Sequence, residues 1–538
     1  MFTEKQKKIS LILIFLLSFA LRIYNLNKFD LWFDELGSSS FTAEIIRSES
    51  KINKTSMLST FSKKLKQDPQ PPLYYSIIFI YSYLFPSLIS LRFISVIFSF
   101  FSLIIFYKLS RKFFDLKTSI FALLILSLNP FHIWYAQEAR GYTVANSLTL
   151  LFVYCFIKIF KEKSLKSWSL LLFSGLLAFL SSYHFLFLLI PLSFSIFFYF
   201  DKKNTIRWVI SLFTLLVVIL FIKTNFHDQL AFVKNNFWLM PPSQKFVLYT
   251  WRVFSLGYSA TLIQYRICTT IFTFLFCYGV WSYSKENLKN TFFLTSLLFA
   301  PIIAIFYFSI YFFPIYVNRQ LLIFSPFYYL FIAKGISSIK GKKAGLLSLI
   351  IVLSILFSGL FNYYRNYIHE NGKFSYLMGG IIPKNNNSEI INFLDENYKD
   401  GDLILTADLQ SYIIMKTFLL KKNSAGIKIP YDRFYYLFFP NKLLSFDVGY
   451  LNIIQQFEKV DKKDAEIIYG YKPLEKDIII EQINFDDFYA KRAWLVSCSW
   501  DNKKSLPNNG GSIKYLAHTK LNNSISKEGD SIYLSLFE

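Results

Sequence analysis

Apolar runs long enough to cross a bilayer recur along this chain, and nothing else in the sequence limits its architecture as much. A membrane-spanning helix needs about 20 apolar residues. Runs near that length fall at roughly 9–27, 88–108, 117–132, 142–160, 167–183, 184–200, 206–222, 261–283, 291–313, 319–336 and 344–364. Composition supports the reading. Of the 538 residues 54% are hydrophobic, 20% aromatic and only 17% charged, against about 25% charged in soluble domains. The 62 Phe and 36 Tyr exceed what one soluble core buries. The sequence therefore predicts a polytopic α-helical membrane protein of about 11 transmembrane helices. Disorder, a coiled coil, a secreted disulfide scaffold and a soluble nucleic-acid binder are excluded for the chain as a whole. The four Cys (155, 268, 277 and 498) are scattered and predict no disulfide framework.

The net charge of +23, from 58 Lys and Arg against 35 Asp and Glu, invites a nucleic-acid reading. The basic residues instead sit in short clusters beside the apolar runs, where the positive-inside rule expects them. Lys5, Lys7 and Lys8 place the N-terminus in the cytoplasm, ahead of an uncleaved first helix. Arg111, Lys112 and Lys117 fall on the same side, as do Lys158 to Lys166, Lys202 to Arg207, Lys285 with Lys289, and Lys334 to Lys343. This holds only if segment 71–86, PPLYYSIIFIYSYLFP, does not span. Its 16 residues make a helix of about 24 Å against a core of about 30 Å, so it reads as interfacial or re-entrant. The odd helix count then puts the polar tail outside the cytoplasm.

Two parts follow: a transmembrane domain over 1–364, with outer loops 28–87 and 129–142, and a soluble extracytoplasmic α/β domain over 365–538. In the tail, SEIINFLDENYKDGDLILTADLQSYIIMKTFL reads as helix, GD turn, strand and helix, and RAWLVSCSW and SIYLSLF read as strands.

The outer loops hold charges close to the membrane plane among aromatics. They carry Leu31-Trp32-Phe33-Asp34-Glu35, then Asp68-Pro69-Gln70-Pro71-Pro72-Leu73-Tyr74-Tyr75, then NPFHIWYAQEARGY over 129–142 with Glu138 and Arg140, and finally Asn318-Arg319-Gln320. Carboxylates at that depth are costly unless solvated or paired. A carboxylate takes a proton from an attacking hydroxyl, and arginine holds a phosphate bidentately without losing its charge. The combination suits transfer of a group from a lipid-linked phosphate, with stabilisation of the leaving phosphate as the electrostatic part of catalysis.

These segments resemble the GT-C membrane glycosyltransferases of the protein-mannosyltransferase and aminoarabinose-transferase group (glycosyltransferase family 39 and its relatives). Asp34-Glu35 matches the acidic pair after the first helix. DPQPPLYY is similar to the D-x-H-P-P-L-Y-Y segment, NPFHIWYAQEARGY to the second-loop P-x-x-x-x-x-S-Q-E-A-R-x-Y stretch, and NRQLLIFSPFYYLFIAKGI to the late R-Y-L-x-x-x-x-P helix. The motifs follow the family order over 20–160 and again near 315–336. The resemblance implies a single sugar moved from a polyprenyl-phosphate carrier to a glycan, lipid or protein acceptor on the non-cytoplasmic face, with inversion. It makes Asp34 the catalytic base, Glu35 its support, Asp68 a second loop-one acid, Glu138 and Arg140 part of the second loop, and Arg319 the phosphate contact. Three residues depart from the pattern: Gln70 for His, Ala136 for Ser and Gln320 for Tyr.

Plainer roles stand beside these. Asp34-Glu35 can begin a solvated loop, Asp68 can form a turn, Glu138 and Arg140 can be a structural ion pair, and Arg319, Arg22 and Arg92 can anchor helix ends at the interface. The five His show no ligand spacing, so a divalent metal finds no support and no cofactor is assigned. A transferase or ligase of preassembled oligosaccharides and a non-enzymatic lipid-linked sugar transporter are the alternative readings. Few ionisable residues fall mid-span, which favours the enzyme over the transporter. A bacterial cell membrane is the expected location.

Overall fold

The structure is a computed structural model. It describes residues 4–42 except 30, residues 58–85 except 60, 63, 66, 67 and 69, then 90–160, 164–222, 241–365 and 367. In the C-terminal third it describes 387–406 and the strand segments 434–437, 479–480, 493–498, 515–521 and 532–537.

The chain is mostly helical. The first part runs α1 (Glu4–Ile23), α2 (Phe33–Ser40), α3 (Pro72–Leu84), α4 (Ser90–Phe113), α5 (Leu116–Leu128), α6 (Pro130–Ala136), α7 (Tyr142–Lys158), α8 (Leu165–Ser181), α9 (Phe185–Tyr199) and α10 (Lys202–Ile222). It continues with α11 (Gln244–Leu256), α12 (Leu262–Glu286), α13 (Leu288–Tyr311), a 3₁₀ turn at Gln320–Ile323, α14 (Ser325–Ser338) and α15 (Lys342–Tyr364). Every apolar run named above coincides with one or more of these helices. Among the described residues, five are long and apolar enough to cross a membrane: α4, the Lys202–Leu220 part of α10, α12, α13 and α15. The pair α5 and α6 makes a sixth if counted as one bent span. The chain is an integral membrane protein. Helix α3 has 13 residues, about 20 Å at 1.5 Å per residue.

Local chemistry sets the helix ends. Asp115 caps α5 by accepting from the Thr118 N–H. Thr261 and Gln264 form a reciprocal capping box at α12. The sequence expects one span over 117–132, but the structure breaks it by 56° after Leu128. Asn129 Oδ1 accepts from the Phe131 and His132 N–H groups, at 3.0 and 3.4 Å, and Pro130 takes the first turn of α6. Each of the seven residues of α6 is buried, so the stretch expected as an outer loop enters the core as a short helix.

Helices α12 and α14 touch backbone to backbone. A Cβ at Gly279 would lie 1.9 Å from the Phe331 carbonyl oxygen, and one at Gly335 would lie 2.1 Å from that of Leu275. Without a hydrophobic driving force between helices in lipid, such small-residue contacts supply the close packing.

Several of the basic linkers meet at one end of the bundle. Lys334 Nζ bonds Glu286 Oε1 at 2.6 Å, Lys117 Nζ reaches the Ser337 carbonyl at 3.4 Å, and the Tyr283 hydroxyl donates to the Phe113 carbonyl at 3.0 Å.

In the C-terminal third, α16 (Asn387–Asn397) precedes a six-stranded mixed sheet of β1 (Leu403–Thr406), β2 (Phe434–Leu437), β3 (Ile479–Ile480), β4 (Ala493–Cys498), β5 (Tyr515–Leu521) and β6 (Ile532–Phe537). The strand order is β3-β2-β1-β4-β6-β5. Strands β3, β2, β1 and β4 pair in parallel, while β6 runs antiparallel to β4 and β5. The expected GD turn sits at Gly401, whose φ is +90°. Asp402 then accepts from Trp494 Nε1 at 3.1 Å, fastening β1 to β4. The helix expected after LILTA lies outside the described residues.

Candidate active site

Two adjacent carboxylates at the start of α2 face opposite environments. Glu35 is the third residue of the helix. Its Oε2 accepts from the Trp32 N–H at 3.2 Å, which caps the first turn. Arg92 of α4 grips the same carboxylate with both arms, Nε to Oε1 at 2.7 Å and Nη2 to Oε2 at 2.6 Å. The Ala139 N–H adds a fourth bond, to Oε1, at 2.7 Å. Arg92 Nη1 also donates to the Leu26 and Phe29 carbonyls. The side chains of Glu35 and Arg92 are 0% and 2% exposed. A sealed, bidentate pair of this kind fixes geometry, and its members cannot be removed singly without stranding a charge. Arg22 is buried too, its Nε on Ser99 Oγ at 2.7 Å and its Nη1 on Ser18 Oγ at 2.7 Å. Both arginines are thus buried inside the bundle, at the ends of their helices.

Asp34 turns the other way. Its Oδ2 accepts from Arg319 Nη1 at 2.9 Å, and the two side chains keep 21% and 13% of their surface exposed. Arg140 closes the group: its Nη1 donates to the Asp34 backbone carbonyl at 3.2 Å and to Ser38 Oγ at 3.2 Å, and lies 3.4 Å from the Tyr75 hydroxyl. Burial works against the charge on Arg140, while Tyr75, Asp34 and Tyr142 work for it, and the balance raises its pKa above the ordinary arginine value. The Arg319 guanidinium carbon lies 6.0 Å from the centre of the Tyr142 ring.

The stretch 137–140 works residue by residue. Gln137 Nε2 donates to the Arg22 and Tyr24 carbonyls at the end of α1, and its Oε1 accepts from the Tyr363 hydroxyl of α15 at 2.6 Å. Glu138 is buried, with Oε1 accepting from Trp134 Nε1 at 2.6 Å. Ala139 meets Glu35, and Arg140 meets Asp34. Asp68 is half-buried, and its Oδ1 accepts from the Gln70 N–H at 2.7 Å, the turn that its place before the prolines suggests.

Beside this cluster a recess opens, lined in part by Gln70, Tyr75, Arg140, Tyr142, Ser181 and Gln320, with a volume of about 380 Å³ that includes the open space at its mouth. The structure therefore brings Asp34, Arg140 and Arg319 into contact, sets Asp68 behind Gln70, and places Glu35 in the sealed pair below. Tyr75 and Tyr142 were not singled out from the sequence, although each closes one of the quoted segments, LYY and RGY. Among the described residues no three His, Cys, Asp or Glu side chains form a group able to hold a metal.

Residues 69–226 match the family model described as dolichyl-phosphate-mannose-protein mannosyltransferase. No curated protein sequence matches the chain. The fold is similar to that of ArnT from Cupriavidus metallidurans in the apo state, with a TM-score of 0.53 at 10% identity over 98% of this chain and 97% of that one. The same protein bound to undecaprenyl phosphate gives 0.51 at 8% identity over the same shares. The apo oligosaccharyltransferase of Archaeoglobus fulgidus gives 0.50 at 11% identity over 93% of this chain and 70% of that one. The chain has the GT-C fold of the membrane glycosyltransferases.

Proposed function

We propose that this protein is an integral-membrane glycosyltransferase that moves one sugar from a polyprenyl-phosphate carrier to a hydroxyl or amine of an acceptor on the non-cytoplasmic side. The observation that carries the reading is the half-open Asp34–Arg319 pair, flanked by Arg140 and seated on the sealed Glu35–Arg92 pair. The matching family model and the similar fold of a protein bound to undecaprenyl phosphate support the donor class.

In this reading Arg319 has two anionic partners in turn. Without donor it holds the Asp34 carboxylate. When the carrier's phosphate arrives it takes the guanidinium, and Asp34 is released to accept the acceptor's proton. The acceptor oxygen or nitrogen attacks the anomeric carbon from the face opposite the phosphate, and the C–O bond to the phosphate breaks. The configuration inverts and polyprenyl phosphate leaves with its charge held by Arg319. Arg140 keeps the α2 backbone in place, so that Asp34 stays aimed. Glu35 acts through position rather than proton transfer. Eleven membrane helices, a cytoplasmic N-terminus and an extracytoplasmic α/β domain over 365–538 complete the reading, with the tail serving acceptor selection.

The test is release of polyprenyl phosphate from labelled polyprenyl-phosphate sugars, in membranes carrying wild type or Asp34→Asn, with native lysate as acceptor. Wild type should release carrier phosphate, and Asp34→Asn should fall by about 10²- to 10⁴-fold, the usual worth of a positioned base. Equal release by both sinks the assignment of Asp34.

A further inference from the structure

Helix α11 holds both of the segments that bring a guanidinium to Asp34. On one side Asn129, which caps α6 ahead of Gln137–Arg140, donates from Nδ2 to the Phe254 carbonyl of α11 at 3.0 Å. On the other side Thr250 of α11 reaches the segment that ends in Arg319. The helix is itself fastened. The Tyr329 hydroxyl of α14 donates to the same Phe254 carbonyl at 2.8 Å, and Ser255 Oγ lies 3.1 Å from the Tyr328 hydroxyl.

The approach to Arg319 is pinned at two levels. Ile315 is held at both its backbone groups: its N–H donates to Ser309 Oγ at 3.1 Å, and its carbonyl accepts from His184 Nε2 at 3.0 Å. Nearer the arginine, Tyr316 and Asn318 both turn to Thr250. Thr250 Oγ1 lies 2.8 Å from the Tyr316 hydroxyl and 2.5 Å from Asn318 Oδ1. One hydroxyl serves both: the Tyr316 phenol donates to Thr250, and Thr250 donates to Asn318. All three side chains are buried. The Asn318 Nδ2 has no hydrogen-bond partner among the described residues, so the Thr250 bond is the polar tether of that side chain. Arg319 follows on the next peptide. Its placement matters because Arg319 Nη1 and Arg140 Nη1 both bond Asp34, at 2.9 Å to Oδ2 and at 3.2 Å to its carbonyl. Two like charges on one residue repel, and fixed backbones hold them there.

We infer that Thr250 is a positioning residue of the transferase site: acting through Asn318, it sets where the Arg319 guanidinium stands and so how tightly that arginine holds the carrier's phosphate. This rests on the transferase reading above and adds to it a residue that none of the quoted motifs contains.

A double-mutant cycle against Arg319 separates positioning from plain packing. The full-length protein in lipid nanodiscs is titrated with polyprenyl phosphate, as wild type, Thr250→Val, Thr250→Ser, Asn318→Ala and Arg319→Ala, and with Thr250→Val or Asn318→Ala added to Arg319→Ala. Thr250→Val keeps the shape of the side chain and deletes its hydroxyl, and should weaken binding by about five- to tenfold. Thr250→Ser keeps the hydroxyl and should bind like wild type. Asn318→Ala cuts the same bond from its other end. It should match Thr250→Val, and it carries the cycle alone if Thr250→Val fails to fold. In the Arg319→Ala background neither change should weaken binding further, whereas a packing defect costs the same with or without the arginine. The inference is overturned by an equal loss in both backgrounds, by wild-type binding in Thr250→Val or Asn318→Ala, or by Thr250→Ser binding as weakly as Thr250→Val. Failure of wild type to bind the carrier, or wild-type binding by Arg319→Ala, would instead overturn the phosphate role of Arg319 in the transferase reading, and the inference with it.

Discussion

Asp34 and Glu35 are chain neighbours with the same functional group, yet the fold treats them as opposites. Glu35 has no exposed surface and is gripped by both arms of Arg92 and by the Ala139 N–H. Asp34 keeps a fifth of its side chain exposed and a single arm of Arg319. The two successive side chains diverge by roughly 100° around the helix axis, since a turn takes 3.6 residues. One therefore enters the bundle while the other turns to Arg319 on the more open side. A carboxylate locked by four hydrogen bonds is a poor proton acceptor and a good strut. A carboxylate with one exchangeable partner is the reverse. Rigid support beneath a site with one movable pair is what precise chemistry asks of a scaffold.

The comparison breaks most visibly at Asp34 itself. Asp34→Asn should lose the two to four decades of carrier release given above while costing less stability than a break in the sealed pair, because Asp34 and Arg319 keep 21% and 13% of their side-chain surface in reach of solvent. An equal loss of stability would mean that the two carboxylates do the same job. On the sealed side the sign reverses. Arg92→Ala leaves Glu35 charged and buried, and should cost about 3–5 kcal/mol of stability, read as a large drop in thermal midpoint with activity lost through misassembly. A variant that melts like wild type would show that the pair is dispensable as a strut.

Gly279→Ala probes the scaffold where it carries no charge. The added methyl group meets a backbone oxygen at 1.9 Å, and the two helices have to part, at about 1–3 kcal/mol. The measurement is again the melting midpoint, and a shift no larger than that of a lipid-facing Ala substitution would count against the close approach of α12 and α14. The smallest effect belongs to the basic end. Lys334→Ala removes a pair whose Glu286 side chain is 54% exposed, worth about 0–1 kcal/mol, and should leave both stability and carrier release near wild type.

Much of this arrangement was legible in the residues. Apolar run length located the helices, because in lipid a helix must satisfy its own backbone. The family order of the segments around Asp34, Asp68, Arg140 and Arg319 pointed to a single site, and the structure brings Asp34, Arg140 and Arg319 together. What the residues did not disclose depends on distant partners. That Glu35 is sealed follows from Arg92, 57 positions away, and from Ala139, 104 positions away. No local pattern carries that information. The bend at Asn129-Pro130 was hidden because the run stays apolar through Phe131 and Ile133, while the break is made by one side-chain cap. Arg22 looked like an interface anchor because an arginine at a helix end usually is one. Beside Ser18 of its own helix, its partners are Ser99 of α4 and the Ser127 carbonyl of α5, and no local pattern names those two.

The Gln137 clasp has a consequence for how such a protein diversifies. One amide ties the end of α1 to Tyr363, near the end of the last bundle helix, and Tyr364 donates to the Leu21 carbonyl beside it. The bundle is thus fastened shut at the point where the chain leaves it for the sheet-bearing tail. The hydrogen bonds described above that join Asp34, Arg140 and Arg319 are made before that point. Under the proposed transferase function, the stretch after residue 365 can thus be lengthened, exchanged or rebuilt for a new acceptor while these bonds stay as they are.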